Sequence, residues 1–159
     1  MANVKVNITA SQIIAGLRIS PSALLEMSDF WVKRVQGFTR SGKSLVTNDR
    51  IKALSAPYVA RRRSYRGSTG QAFSPTKSNL TLTGQLLESV KGSANVRLQR
   101  VQLACVGSRS GESLTNARLA GYVAEQGRPF LGLDDKGRAR MVQIVLRDLR
   151  RTLRKRRRS

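Results

Sequence analysis

The chain has 159 residues, with 30 Lys or Arg against 9 Asp or Glu, no His, one Cys and 40% hydrophobic residues. That length suits a single domain, and the apolar fraction is too high for a disordered charged coil. The absence of His excludes Ser-His-Asp triads, Cys-His pairs and His-ligated zinc, and a single Cys excludes an internal disulfide. A net charge of +21 calls for an anionic partner, which could be nucleic acid, an acidic protein surface or a membrane face.

The hydropathy of the chain gives no sign of a membrane segment. No run of about 18 apolar residues occurs, and the first residues lack the apolar core of a secretory signal. We therefore expect a protein made in a reducing cytoplasm, without membrane contact. Cys105 lies within an apolar run, which predicts a buried and unreactive thiol.

The first third of the chain predicts a strand and a helix. Val4–Thr9 alternates apolar and polar residues, as in a strand with one buried face. Ser20 and Pro21 form a helix-start signal, and apolar residues follow at spacings of three and four. We predict a helix over residues 21–36 that ends at Gly37, with Trp31 on its inner face as a core anchor.

The segment 37–79 is basic and lacks regular periodicity. Ten cations lie between Lys33 and Arg66, against Asp49 alone. We predict a long protruding arm with one short helix near residues 49–54, because irregular backbone of this length needs hydrogen-bond partners outside the local structure. The cluster 61–66 could neutralise phosphates, or it could be a solvated face.

Regular patterns return after residue 79. Apolar residues over 82–90 predict a helix capped by Thr81 or Thr83, residues 94–106 are strand-like with a turn or bulge at 99–100, and a helix is expected over 113–126 with Gly127 after its end. A last helix begins at about Asp135, with an apolar stripe and an opposite arginine face. The stripe comprises Met141, Ile144, Val145, Leu149 and Leu153.

These elements predict an α+β fold in one domain over residues 1–159. A small antiparallel sheet packs with several helices, the arm 37–79 protrudes, and the chain ends in a polybasic tail over 150–159. From Arg147 to Arg158 there are eight cations and only Asp148 against them. The tail could hold the phosphates of a nucleic acid or dock on an acidic protein.

Residues Gly37–Ser44 match the pattern of a phosphate-binding P-loop. That loop functions between a buried parallel strand and a helix, whereas Lys33 and Arg34 interrupt any apolar strand before it. A chance match in a basic loop is the preferred interpretation. The only adjacent carboxylates, Asp134 and Asp135, are explained by capping of the last helix, so we predict no enzyme, cofactor or metal.

Two stretches, Ser78–Ser89 and Gly121–Leu133, resemble the tailed-phage virion-morphogenesis family of head-tail joining or tail-completion proteins. The order of the motifs matches: a Leu-Thr and Thr-Gly segment, a strand pair, a helix, and Arg-Pro-Phe-Leu-Gly before a closing helix. Asp49–Arg62 is similar to the region that precedes them, so the resemblance spans residues 49 to about 150. Two features depart from the family: Glu125-Gln126 replaces a frequent His-Gln pair, and the basic tail is not a family hallmark.

The resemblance implies a structural virion protein that forms a ring, of six subunits, at the neck or tail end. Its implied partners are copies of itself, adjacent neck or connector and tail-tube proteins, and phage DNA in the channel. For the basic tail we favour docking on an acidic protein over contact with DNA, because a strongly attractive channel would retard DNA passing through it. For the turn at 128–131, packing within the domain and an interface role stay equally open. The residues expected to dock on a neighbouring subunit or partner are Arg61, Arg62, Arg63, Tyr65, Arg66, Arg128, Pro129, Phe130 and Leu131. Those expected to contact an anionic partner are Arg150, Arg151, Arg154, Lys155, Arg156, Arg157 and Arg158.

Two other functions remain as alternatives. A small basic nucleic-acid-binding protein would account for the charge, although not for the ordered motifs. A P-loop nucleotide-binding protein is the lesser alternative, and a nucleotide titration would distinguish it.

Overall fold

The computed structural model describes residues 4–6, 18–70, 73–108 and 114–156. Its fold is α+β with a small antiparallel sheet, which confirms the predicted class. The elements in chain order are β1 (Val4–Val6), α1 (Pro21–Arg40), α2 (Ala56–Arg63), α3 (Gln85–Glu88), β2 (Val90–Asn95), β3 (Arg100–Cys105), α4 (Asn116–Glu125) and α5 (Asp135–Arg156).

The sheet has the strand order β1-β3-β2. β2 and β3 form a hairpin in which Val90 faces Cys105 and Asn95 faces Arg100, and β1 pairs antiparallel with β3. The residues of β3 alternate between half-buried and buried, so Val101, Leu103 and Cys105 face the core. This alternation is the period of two expected of a strand with one covered face.

Helix α1 lies across the sheet and forms the centre of the core. Ser20 caps its N-terminus by accepting from the Ala23 amide, and Trp31 is fully buried, as predicted. A Cβ atom at Gly92 of β2 would lie 2.1 Å from Ser28 Oγ and 3.2 Å from the Ser28 carbonyl oxygen of α1, so glycine eases the close approach of strand and helix. The core also contains Met27, Leu87, Phe130, Met141 and Ile144.

Several predicted boundaries were wrong. α1 continues to Arg40 rather than ending at residue 36, because Gly37 keeps helical geometry. The helix expected over 82–90 is only the four residues of α3, and Val90 begins a strand instead. The hairpin turn covers residues 96–99, and Gln99 has a positive φ of 50°, close to the predicted break. Residues 7–9 of the expected first strand and residue 113 of the expected fourth helix lie outside the described residues.

The predicted arm is corrected only in its first part. Leu45 and Ile51 are buried and a β-bridge between Lys43 and Arg50 closes the loop between them, whereas residues 52–70 are mostly exposed, with Arg62 as the buried exception. The helix in this segment is α2, over residues 56–63, not 49–54. Backbone hydrogen bonds within the segment, from the Ser44 amide to the Asp49 carbonyl and from the Ile51 amide to the Gly42 carbonyl, supply partners that the sequence pattern suggested were missing.

Helix α5 begins where predicted and packs on α1. Asp134 accepts a hydrogen bond from the Gly137 amide at 3.1 Å, which caps the helix, and it also pairs with Arg34. At the other end Ser20 donates to Asp148 from its amide, 2.8 Å, and from its hydroxyl, 2.6 Å.

None of the helices in the described ranges is long and apolar enough to cross a membrane.

Candidate functional site

The arginine cluster of residues 61–66 is divided between the interior and the surface. Arg61, Arg63, Tyr65 and Arg66 are exposed, whereas Arg62 is only 3% exposed. α2 places Arg61, Arg62 and Arg63 on different faces, because consecutive residues are separated by about 100° around a helix, and Tyr65 and Arg66 follow the end of the helix. The exposed members remain available to a partner, and Arg62 has a different environment.

The Arg62 guanidinium is partly satisfied. Its Nη1 donates to the Lys77 carbonyl at 3.1 Å, and its central carbon lies 5.1 Å from the centroid of the Phe73 ring and 5.9 Å from that of Tyr58. Nε and Nη2 are buried and have no hydrogen-bond partner among the described residues. Burial lowers the pKa of Arg62 because desolvation disfavours its charged form, although arginine remains protonated at neutral pH.

Arg62 lines a groove of about 370 Å³ between α2, residues 80–86 and α4, which we call the Arg62 groove. Leu80 reaches it from a left-handed backbone with φ of 55°, a conformation that is strained for leucine. Arg128 also lines the groove, but its guanidinium is held by the carbonyls of Lys52 and Ala53. The apolar walls consist of Leu54, Leu80, Leu82, Leu86, Leu119 and Val123.

The turn at residues 128–133 makes contacts within the domain. Phe130 is 1% exposed and Leu131 is 8% exposed, so their side chains belong to the core rather than to an accessible docking surface. The Pro129 carbonyl accepts a hydrogen bond from Ser44 Oγ at 2.5 Å, and the Gly132 carbonyl accepts one from Trp31 Nε1 at 2.6 Å. The turn thus fixes the loop after α1 and the centre of α1 at the same time.

The carboxylate that begins α5 is held by a bidentate ion pair. Arg34 Nε and Nη2 lie 2.6 Å and 2.5 Å from the two oxygens of Asp134, and the two side chains are 18% and 8% exposed. These hydrogen bonds from Arg34 hold the pKa of Asp134 below its ordinary range, against the opposing effect of burial. Asp135 is exposed, so only the first member of the predicted capping pair serves as the cap.

Helix α5 presents a basic face. A shallow groove is lined entirely by cations, and Arg147 within it also pairs with Glu26 of α1. The side chain of Arg156 and the whole of Arg157 and Arg158, which were predicted to contact an anionic partner, lie outside the described residues. The cations that line this basic face are Arg147, Arg150, Arg151, Arg154 and Lys155.

An apolar stripe lies beside that basic face. Val142, Leu146 and Leu153 are 50%, 46% and 42% exposed. At about 100° per residue they project within about 40° of one another, which makes one narrow band along the helix. Leu153 was predicted on the same apolar side of the last helix as Met141 and Leu149, but those two are buried and Leu153 is exposed. The sequence pattern did not reveal this exposed stripe, because its residues and the buried residues of α5 both recur at helical spacings.

The P-loop match occupies the wrong place for phosphate binding. Residues Gly37–Arg40 are the last turn of α1, and Ser41 is its C-cap. A phosphate-binding loop precedes a helix and uses the free amides of its N-terminus, whereas this motif lies at the carbonyl end. Ser44, which would hold magnesium in a P-loop, instead donates to Pro129. In the ranges that the structure describes, no three acidic or Cys side chains gather closely enough to hold a metal ion.

Sequence patterns missed the Arg62 groove. The helix-start signal was present, since Ser55 and Pro57 flank the first residue of α2, but the basic composition of the segment obscured it. Nothing local distinguishes Arg62 from Arg61 or Arg63.

Comparison of the chain with protein-family models, with curated proteins and with solved structures finds no match, so the resemblance to the virion-morphogenesis family rests on the quoted motifs.

Proposed function

We propose that the chain is a structural virion protein of a tailed phage, which assembles as a ring at the head-tail neck or the tail end. The observation that carries the proposal is the order of the family-like motifs, because each motif has a definite structural role. Asn79 and Thr81 of the first motif are buried and bonded to each other at 2.5 Å. Phe130 of the last motif is a core residue immediately before α5.

The surface of α5 supports assembly. Its exposed apolar stripe, formed by Val142, Leu146 and Leu153, is of the kind that subunit interfaces cover. A charge of +21 opposes self-association in free solution, so a ring needs apolar contact and anionic neighbours to form. The basic face beside the stripe supplies the surface for such a neighbour, and protein docking remains the favoured role of the tail.

Two measurements test this proposal. Mass spectrometry of purified particles from the phage that encodes the chain should detect it at low copy, and electron microscopy of the assembled protein should show closed rings. Leu146→Glu should abolish ring formation, because it places a carboxylate within the apolar stripe. Leu25→Glu is the matched control, since Leu25 is 56% exposed on α1, and it should leave the rings intact. Absence from mature particles would refute the structural role.

The basic face of α5 favours one second candidate, a nucleic-acid-binding protein. A groove lined by five cations can neutralise phosphates without reading sequence. Under this alternative, Arg150→Gln with Arg154→Gln lowers the slope of log affinity against log salt by about 1.8, since each phosphate contact contributes about 0.9. Arg140→Gln, on the same helix but outside the groove, is the control. An unchanged slope in the double variant would exclude this face as the binding site.

A further inference from the structure

The strongest unexplained feature of the molecule is the incomplete hydrogen bonding of Arg62. A buried guanidinium that lacks partners is costly, because a charge removed from water needs compensating hydrogen bonds. Its Nη1 has the Lys77 carbonyl, whereas Nε and Nη2 have no acceptor among the described residues. These two nitrogens form one edge of the guanidinium, and that edge matches the two oxygens of a carboxylate.

The surroundings of Arg62 define the charge of the missing group. Arg128, the other cation of the groove, already donates to the carbonyls of Lys52 and Ala53 and to the side chain of Gln126. One unsatisfied cation is neutralised by one negative charge, which suits a carboxylate better than a phosphate dianion. The leucine and valine walls of the groove require that the carboxylate be carried with aliphatic groups.

We propose that the Arg62 groove binds an acidic side chain flanked by aliphatic residues on a partner protein, with its carboxylate paired to Nε and Nη2 of Arg62. Because Nε and Nη2 are buried, binding requires a side chain of the groove to move, and we assign this movement to Tyr58, which is 37% exposed and whose ring centroid lies 5.9 Å from the guanidinium carbon. This inference does not depend on the phage assignment.

A partner of different sequence fits better than a second copy. Each copy carries a charge of +21, so two copies repel each other, whereas an acidic partner is attracted. Two acidic residues of this chain that follow a leucine are also already paired. Glu26 follows Leu25 but pairs with Arg147, and Asp134 follows Leu133 but pairs with Arg34.

The test uses the full chain and two tripeptides that differ only in charge, acetyl-Leu-Glu-Leu-amide and acetyl-Leu-Gln-Leu-amide. The Arg Nε–H resonances and leucine methyl resonances are followed by NMR during titration. We expect the Glu peptide to shift the Arg62 Nε–H signal and to bind at least about tenfold more tightly than the Gln peptide, because a charge-assisted bidentate pair replaces a neutral contact. This comparison needs no protein variant, so it holds even if a substitution at Arg62 prevents folding.

Matched variants then assign the effect to one guanidinium. Arg62→Gln should abolish the preference for the Glu peptide, whereas Arg61→Gln removes the same charge from the exposed neighbour and should preserve it. Equal binding of the two peptides, or equal loss in both variants, would overturn the proposal. Displacement of the Glu peptide by equimolar inorganic phosphate would also overturn it, as would binding of octanoate without binding of the peptide. Self-association that is lost in Arg62→Gln alone would assign the groove to a second copy and reject the acidic partner.

Discussion

The side chain of Asp134 both caps α5 and forms an ion pair with Arg34, and substitutions can separate these two roles. Asp134→Asn keeps an oxygen that can cap α5 but removes the charge that pairs with Arg34, whereas Asp134→Ala removes both. Loss of an N-cap costs about 1 kcal/mol. Exposed ion pairs contribute about 0–1 kcal/mol and removal of one partner from a buried pair costs about 3–5 kcal/mol. The side chains of Arg34 and Asp134 are 18% and 8% exposed. The cost of breaking this pair should therefore lie close to, but below, the cost for a fully buried pair.

We therefore expect Asp134→Asn to lower the free energy of unfolding by about 2–3 kcal/mol and Asp134→Ala by about 3–4 kcal/mol. For a chain of this size the Asn variant should melt about 4–12 °C lower. Urea denaturation at pH 7 measures the free energy of unfolding and a thermal melt measures the melting temperature, both followed by circular dichroism. Asp135→Asn is the control: it removes the same charge from a fully exposed neighbour and should leave the midpoint unchanged.

The pH dependence gives an independent check. Because the pKa of Asp134 is lower in the folded than in the unfolded chain, the pair stabilises the fold fully above the unfolded pKa, and this contribution is lost as pH falls through the folded pKa. The difference between wild type and Asp134→Asn should thus be constant from pH 7 to about pH 5 and shrink below about pH 4. A wild-type midpoint for Asp134→Asn at pH 7 would refute the ion-pair argument, and equal losses for Asn and Ala would refute the cap.

Three further predictions concern buried residues. Phe130→Ala should cost about 3–5 kcal/mol in urea denaturation because Phe130 is a core side chain; a loss below about 1 kcal/mol would contradict that placement. Trypsin should cut the folded monomer first after the exposed Arg66 and should spare the bond after the buried Arg62. Mass spectrometry maps the cleavage sites, and early cleavage after Arg62 would show that α2 detaches from the domain. Burial raises the pKa of the Cys105 thiol, so Ellman's reagent at pH 8 should react only after unfolding, and rapid labelling of the folded chain would refute this.

The parts of the fold that sequence predicts well are those specified by local signals. Ser20 and Pro21 mark the start of α1, and the apolar spacing after Asp135 identifies α5. Burial of Trp31 and Cys105 also follows from their apolar neighbours. In each case the residues that decide the structure lie within a few positions of one another.

The parts that failed depend on contacts between distant residues. The loop after α1 is ordered by Ser44 bonding to Pro129, 85 positions away, and no local pattern encodes that contact. Arg62 differs from Arg61 and Arg63 only through burial beside Phe73 and Lys77. A basic segment with scattered apolar residues therefore looked like an arm throughout, although Leu45 and Ile51 attach its first part to the domain.

The pairing of α1 with the distal third of the chain affects the order in which the protein can fold during translation. Trp31 and Arg34 bond to residues 101 and 100 positions later, and Ser20 bonds to one 128 positions later. At about 5–20 residues per second, roughly 5–20 s separate synthesis of α1 from synthesis of its partners. During that interval the apolar face of α1 has no permanent cover, so the nascent chain depends on the β2–β3 hairpin or on a chaperone to shield it. In a chain stalled on the ribosome before residue 130, Trp31 would still lack the Gly132 carbonyl that accepts its indole hydrogen bond.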